Sequence, residues 1–249
     1  MASGSQPGRG RRFFLFLVGL LLLPLLYALA RALLDVLPAL FIDKSPWIAL
    51  EAIALAAGFF AWIVLSLFLP PSIRVYVFGH EMTHAIWGLL TGSKIGRMRV
   101  GDNGGFVELS NPGLFTTLAP YFVPFYLVVL LLLRLLCGLF LDMAPYSLWW
   151  LFAMGLAYGF HILYTVKSLA QKQPDIRVYG RFASYVIILL ANLLLFGYGF
   201  VAVTSATFPK YHQAMFSRTC ETYAEVWRAT TRASLRAFKW ARSRVATQG

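Results

Sequence analysis

Charge is what this chain has least of. Only 13% of its 249 residues are Asp, Glu, Lys or Arg, and 10 residues in all are acidic; a water-soluble domain carries about a quarter charged residues. That scarcity excludes an ordinary soluble globular domain. Histidine occurs 4 times and cysteine twice. Cys137 lies inside an apolar run and Cys220 near the C-terminal end, so there is neither a disulfide framework nor a Cys-rich metal site. No long polar stretch separates the apolar runs, which leaves no room for a soluble recognition domain between them, and no internal repeat is visible. Basic residues outnumber acidic ones, for a net charge of +12. They are scattered over loops and flanks with no nucleic-acid-binding module, so nucleic acid is excluded as a partner and anionic lipid headgroups are the expected neighbours.

Hydrophobic residues, in contrast, make up 59% of the chain. They fall into runs long enough to cross a bilayer, and the fold class expected is an all-α polytopic membrane protein with about six transmembrane helices. Residues 1–12 read as a disordered basic N-terminus. Residues 13–72 hold two spans, Phe13 to about Leu34 and Pro46 to Leu69; further apolar sequence follows Ala30 directly, so the first run reads as a retained span rather than a cleaved leader. Residues 73–205 hold four more: a helix from Ile73 to about Thr91, then Leu114 to Leu141, Tyr146 to Ala170 and Arg181 to about Thr204. Two short alternating runs on either side of Asp102-Asn103-Gly104-Gly105 predict a β-hairpin directly after the Ile73–Thr91 helix. Residues 206–249 read as a basic tail. In it Phe216, Cys220, Tyr223, Trp227, Leu235 and Phe238 recur mostly at spacings of three and four, with Arg228, Arg232, Arg236 and Lys239 between them, the pattern of an amphipathic helix on an anionic lipid surface.

The chemistry is concentrated in His80-Glu81-Met82-Thr83-His84. Four residues apart on a helix, the two imidazoles share a face and suit one metal ion, with Glu81 beside it as general base for a water. Two histidines alone hold a metal weakly, so a third donor is required. Two candidates stand at a suitable depth. If consecutive spans alternate in direction, the metal helix and the Tyr146–Ala170 span run parallel, placing His84 ~10 Å and His161 ~13 Å from helix ends on one side. Asp175 follows Pro174 just beyond that span, within ~15 Å of extended chain. The residues themselves leave His161 and Asp175 both open.

His80-Glu81-Met82-Thr83-His84 on an apolar helix, followed by Gly104-Gly105-Phe106-Val107 and Leu118-Ala119-Pro120, resembles the site-2 protease family of intramembrane zinc metalloproteases over roughly Ile73 to Thr204. The resemblance implies one zinc per chain and hydrolysis of a peptide bond in or near a transmembrane segment of a substrate protein. It also implies that Gly105, Phe106 and Val107 hold the substrate as an added strand, and that the third ligand is an aspartate after a later span. That favours Asp175, with His161 as the alternative third ligand or an oxyanion donor. The family's Asn before the Pro and Gly after the Asp are not in place around Pro174-Asp175. A zinc-bearing scaffold or pseudoprotease that binds membrane proteins without cutting them is the alternative function. The expected location is a bacterial inner membrane. Six alternating spans put six basic residues near span ends on one side against eight on the other, a margin that assigns no side. The family's cytosolic metal side then conflicts with a cytosolic Arg11-Arg12 unless one segment is re-entrant.

Overall fold

A computed structural model describes residues 8–38, 46–70, 73–171, 173–204 and 206–246. The helices are α1 (Arg9–Val36), α2 (Pro46–Phe68), α3 (Ile73–Leu90), α4 (Leu114–Leu118), α5 (Phe125–Gly138), α6 (Ser147–Ala170), α7 (Pro174–Val178), α8 (Arg181–Ala202) and α9 (Phe208–Ala246). Short 3-10 turns, Ala119–Tyr121 and Ala144–Tyr146, precede α5 and α6. β1 (Ile95–Gly101) and β2 (Gly104–Leu109) form one antiparallel pair. The expected hairpin is therefore present directly after the helix that carries the histidines.

Among the described residues, α1, α2 from Leu50, α6 with its leading turn, and α8 are long and apolar enough to cross a membrane. A fifth crossing is reached if Leu114–Tyr121 and Phe125–Gly138 count as one. Six independent spans are thus an overcount. The expected continuous span from Leu114 to Leu141 is broken by 82°, because Pro120 and Pro124 lack the N–H a continuing helix needs. The expected disorder of residues 1–12 is corrected in part: Arg9 to Arg12 already belong to α1, while residues 1–7 lie outside the described set, as do Asp43, Lys44 and Ser45 of the expected loop before α2.

Glycines set the main helix contact. A Cβ on Gly58 would lie 1.9 Å from the Phe152 carbonyl oxygen, one on Gly155 2.1 Å from that of Leu55, and one on Gly159 2.7 Å from that of Phe59. Small residues let backbones touch where there is no hydrophobic drive between helices. The pairs ascend together, 55 with 155 and 59 with 159, so α2 and α6 run parallel. In contrast α3 runs against α6: Tyr76 meets Ser168 and Tyr164, whereas His80, four residues on, shares a small cavity with His161. That overturns the parallel arrangement assumed for these two segments, which relied on every apolar run crossing once. α1 and α8 run parallel, Phe16 packing on Phe182 at one end and Ala32 and Val36 on Phe200 and Val201 at the other.

The hairpin lies along α3. Val107 and Leu109 cluster with Ala85, and the turn at Asp102 returns to Arg74 through a two-pronged ion pair. That pairing holds the Asp102 carboxyl below its ordinary range, and a similar bond from Arg97 does so for Glu108. Gly92, at φ 80°, ends α3 in the left-handed conformation that glycine adopts without strain.

The tail is one helix, as expected, but its packed face is a different one. Tyr211, fully buried, sits with Ala32, Val36, Phe200 and Val201. Arg218 bonds Asp35 and Glu221, and the Tyr223 hydroxyl donates to the Leu21 carbonyl at 2.6 Å. Phe216 and Trp227 of the predicted apolar stripe point away, 74% and 73% exposed.

Candidate metal centre

His80 and His84 lie one turn apart on α3, and Asp175 lies in the first turn of α7. The antiparallel contact of α3 with α6 brings that turn over the histidine face. The Nε2 atoms of His80 and His84 are each 3.5 Å from Asp175 Oδ2, and the three donor atoms lie within 4.8 Å of one another. All three side chains are sequestered, with His84 and Asp175 8% and 3% exposed.

The outer nitrogens decide what the inner ones present. His84 Nδ1 is 2.9 Å from the Thr116 carbonyl oxygen, an acceptor only, so Nδ1 carries the proton and Nε2 of the neutral ring keeps its lone pair. That lone pair faces a carboxylate oxygen. Two acceptors opposed in a buried site repel unless a metal ion or a second proton on the ring lies between them. The 3.5 Å edges are long for hydrogen bonds. They match the ligand-to-ligand edge of a tetrahedral zinc site, roughly 3.3 Å for bonds of about 2.0 Å. The donor set of two imidazoles and a carboxylate therefore suits a zinc ion. His80 Nδ1 is 3.1 Å from the Tyr76 hydroxyl, which is 2.6 Å from Ser168 Oγ. The Tyr121 hydroxyl, fully buried, donates to Asp175 Oδ2 at 3.0 Å.

Glu81 is beside the histidines and 7% exposed, its carboxylate next to the main chain of Val107. The hairpin thus touches the expected base directly. A Cβ on Gly105 would lie 2.5 Å from Val77 Cγ1 and 3.2 Å from Glu81 Cγ, so glycine is what allows β2 to lie this close to α3. A cavity of about 450 Å³ opens over the group. Its walls include His80, Glu81, His84 and Asp175 on one side and Gly105, Phe106 and Val107 on the other.

The two candidate third donors separate clearly. Asp175 joins the histidines, whereas His161 is outside the group of three. It is buried, faces Tyr158, and leaves its Nε2 without a partner. It lines a separate small cavity with Gly79, His80 and Thr83, and is not part of the wall of the larger one.

Three supporting groups were not among the expected site residues. Tyr76 precedes His80 by one turn, so its place on the histidine face was open to the same i, i+4 reasoning. Tyr121 follows Leu118-Ala119-Pro120 by one residue. The Thr116 carbonyl, a main-chain atom, has no signature in the residue types. No family model matches the chain, and neither a curated protein nor a solved structure matches it.

Proposed function

We propose that this chain is an intramembrane metalloprotease of the site-2 protease kind, with Glu81 as its general base. The observation that carries the reading is the buried His84 lone pair opposed to Asp175 beside a carboxylate that contacts a strand. Bound at His80, His84 and Asp175, zinc would supply a Lewis acid and an acidified water. Glu81 takes the proton of the attacking water as its oxygen bonds to the scissile carbonyl carbon, and passes that proton to the amide nitrogen as the C–N bond breaks. The outer edge of the two-stranded sheet offers main-chain donors and acceptors to an extended substrate. Such a segment must first unwind, because a helix engages its own carbonyls.

The topology that goes with this reading has one re-entrant segment. Parallel α2 and α6 require one net crossing between them; α3, ~27 Å long at 1.5 Å per residue, supplies it, and Leu114–Gly138 returns to the side it left. The N-terminus and the cavity mouth then share a side with Arg9, Arg11, Arg12, Arg74, Lys167, Arg177 and Arg181, against Lys94, Arg97, Lys210 and Arg218 opposite. The positive-inside rule makes the mouth cytoplasmic, which removes the conflict between a cytosolic metal side and a cytosolic N-terminus.

The test of the enzyme assignment is Glu81→Gln in the full chain reconstituted with a single-span substrate. Zinc content should stay near one per chain while cleavage falls at least a hundredfold, the lower range for losing a general base. Cleavage at the parent rate would overturn the assignment. Accumulation of a stable complex with neither form cutting would favour the scaffold reading.

A further inference from the structure

The wall of the 450 Å³ cavity contains one residue from far outside the metal-binding segment: Arg11, in the first turn of α1. Its position is held by packing. A Cβ on Gly19 would lie 2.9 Å from the Phe182 ring and 3.2 Å from Ala183 Cα, so α1 runs close against the start of α8, and its N-terminal turn meets the segment between α7 and α8. There the Arg11 guanidinium lies over the Tyr179 ring, Cζ 5.2 Å from the centroid. Tyr179 is 4% exposed, donates its hydroxyl to the Pro112 carbonyl at 3.1 Å, and follows Asp175 by four residues. It is a fixed platform built by the same turn that carries the third candidate ligand.

Arg11 is the sole Lys or Arg in that wall, and no carboxylate pairs with it among the described residues. Stacking uses the face of the guanidinium and leaves its edge of N–H donors free, the geometry that takes a carboxylate by two bonds. The acidic groups of the same cavity, Glu81 and Asp175, are buried and already engaged.

Building on the protease reading above, we propose that Arg11 is a specificity residue that binds an Asp or Glu side chain of the substrate on the cytoplasmic flank of the scissile segment. Single-span proteins commonly carry Lys or Arg on that flank. A fixed cation at the mouth repels those chains and selects the minority with an acidic residue there.

The experiment uses the full chain in phosphatidylcholine vesicles and three synthetic single-span peptides that differ only in Glu, Gln or Lys at one flanking position. Two readouts are taken: kcat/KM for cleavage, and affinity of the fluorescent peptides for the Glu81→Gln protein. The parent should favour Glu over Lys by about tenfold in both, the scale of one charge-assisted bond. Arg11→Glu should reverse the order and Arg11→Gln should flatten it, with zinc content as the check that each variant is folded. An unchanged order in Arg11→Glu would overturn the proposal. So would an Arg11-dependent response to added phosphatidylglycerol that is equal for all three peptides, since the anion bound would then be a lipid phosphate. If the parent cuts none of the peptides, the protease reading fails on its own, and the affinity order still decides the role of Arg11.

Discussion

At the scale of single residues, the site is a set of ligands whose outer atoms are already committed. Thr116 orients His84, Tyr76 orients His80 and Tyr121 holds Asp175. Partners of this kind typically carry 10- to 100-fold of metal affinity. Tyr121→Phe and Tyr76→Phe are therefore each expected to weaken zinc binding by about tenfold or more, read by competition with a chelator, while helix content stays the same. Asp175→Ala should cost more than either, and His161→Ala should leave zinc affinity within about threefold, less than a hydrogen-bonding partner of a ligand carries. The His-Glu-x-x-His pentapeptide was legible because two histidines and a glutamate at helical spacing are rare in so apolar a chain. The choice between Asp175 and His161 was not legible from depth alone. It depends on the direction of α3 relative to α6, which is a property of the packing and is carried by Gly58, Gly155 and Gly159 rather than by any acidic or imidazole side chain.

At the scale of elements, the hairpin matters more than its place in the sequence suggests. β2 reaches Glu81 through the Val107 main chain, and that approach depends on Gly105 having no side chain. Gly105→Val should push the strand off α3 and lower cleavage by about tenfold or more, on the scale of a misplaced reacting group, with zinc still bound because no ligand lies in the strand. A variant that cuts normally would show that β2 does not position the base. The hairpin itself was readable from alternation around a Gly-rich turn. The break between α4 and α5 is only half readable: Pro120 and Pro124 are visible in the run, but the whole stretch is apolar enough to pass for one span. The tail shows the same limit. Its helix was evident, yet the face that docks on α1 is built from Tyr211, Arg218 and Thr222, because partners on a distant helix, Asp35 among them, decide the docking rather than the local apolar stripe.

At the scale of the whole molecule, four of the described helices are long and apolar enough to cross a membrane, and a shorter helix carries the histidines. Parallel pairing of α1 with α8 and of α2 with α6 fixes which loops share a side, and that sharing separates the basic residues. With Cys137 and Cys220 changed to Ser, a cysteine at Asn103 beside the cavity should react with a membrane-impermeant maleimide only from the cytoplasmic face, and one at Met143 before α6 only from the opposite face. Labelling of both from one side would show that Leu114–Gly138 crosses the bilayer. Composition was enough to place the chain in a membrane; the number of crossings was not, because α3 is polar for a span and the bent pair is apolar for a re-entrant segment.

The claim on which the rest depends is a cation between His80, His84 and Asp175, and zinc K-edge X-ray absorption of the purified full chain addresses it most directly. The expected result is about one zinc per chain with two imidazole nitrogens and light oxygen donors at ~2.0 Å, the oxygen component altered in Asp175→Ala and the metal lost in His84→Ala. A chain that stays metal-free after zinc loading, or a coordination shell indifferent to Asp175, would contradict it.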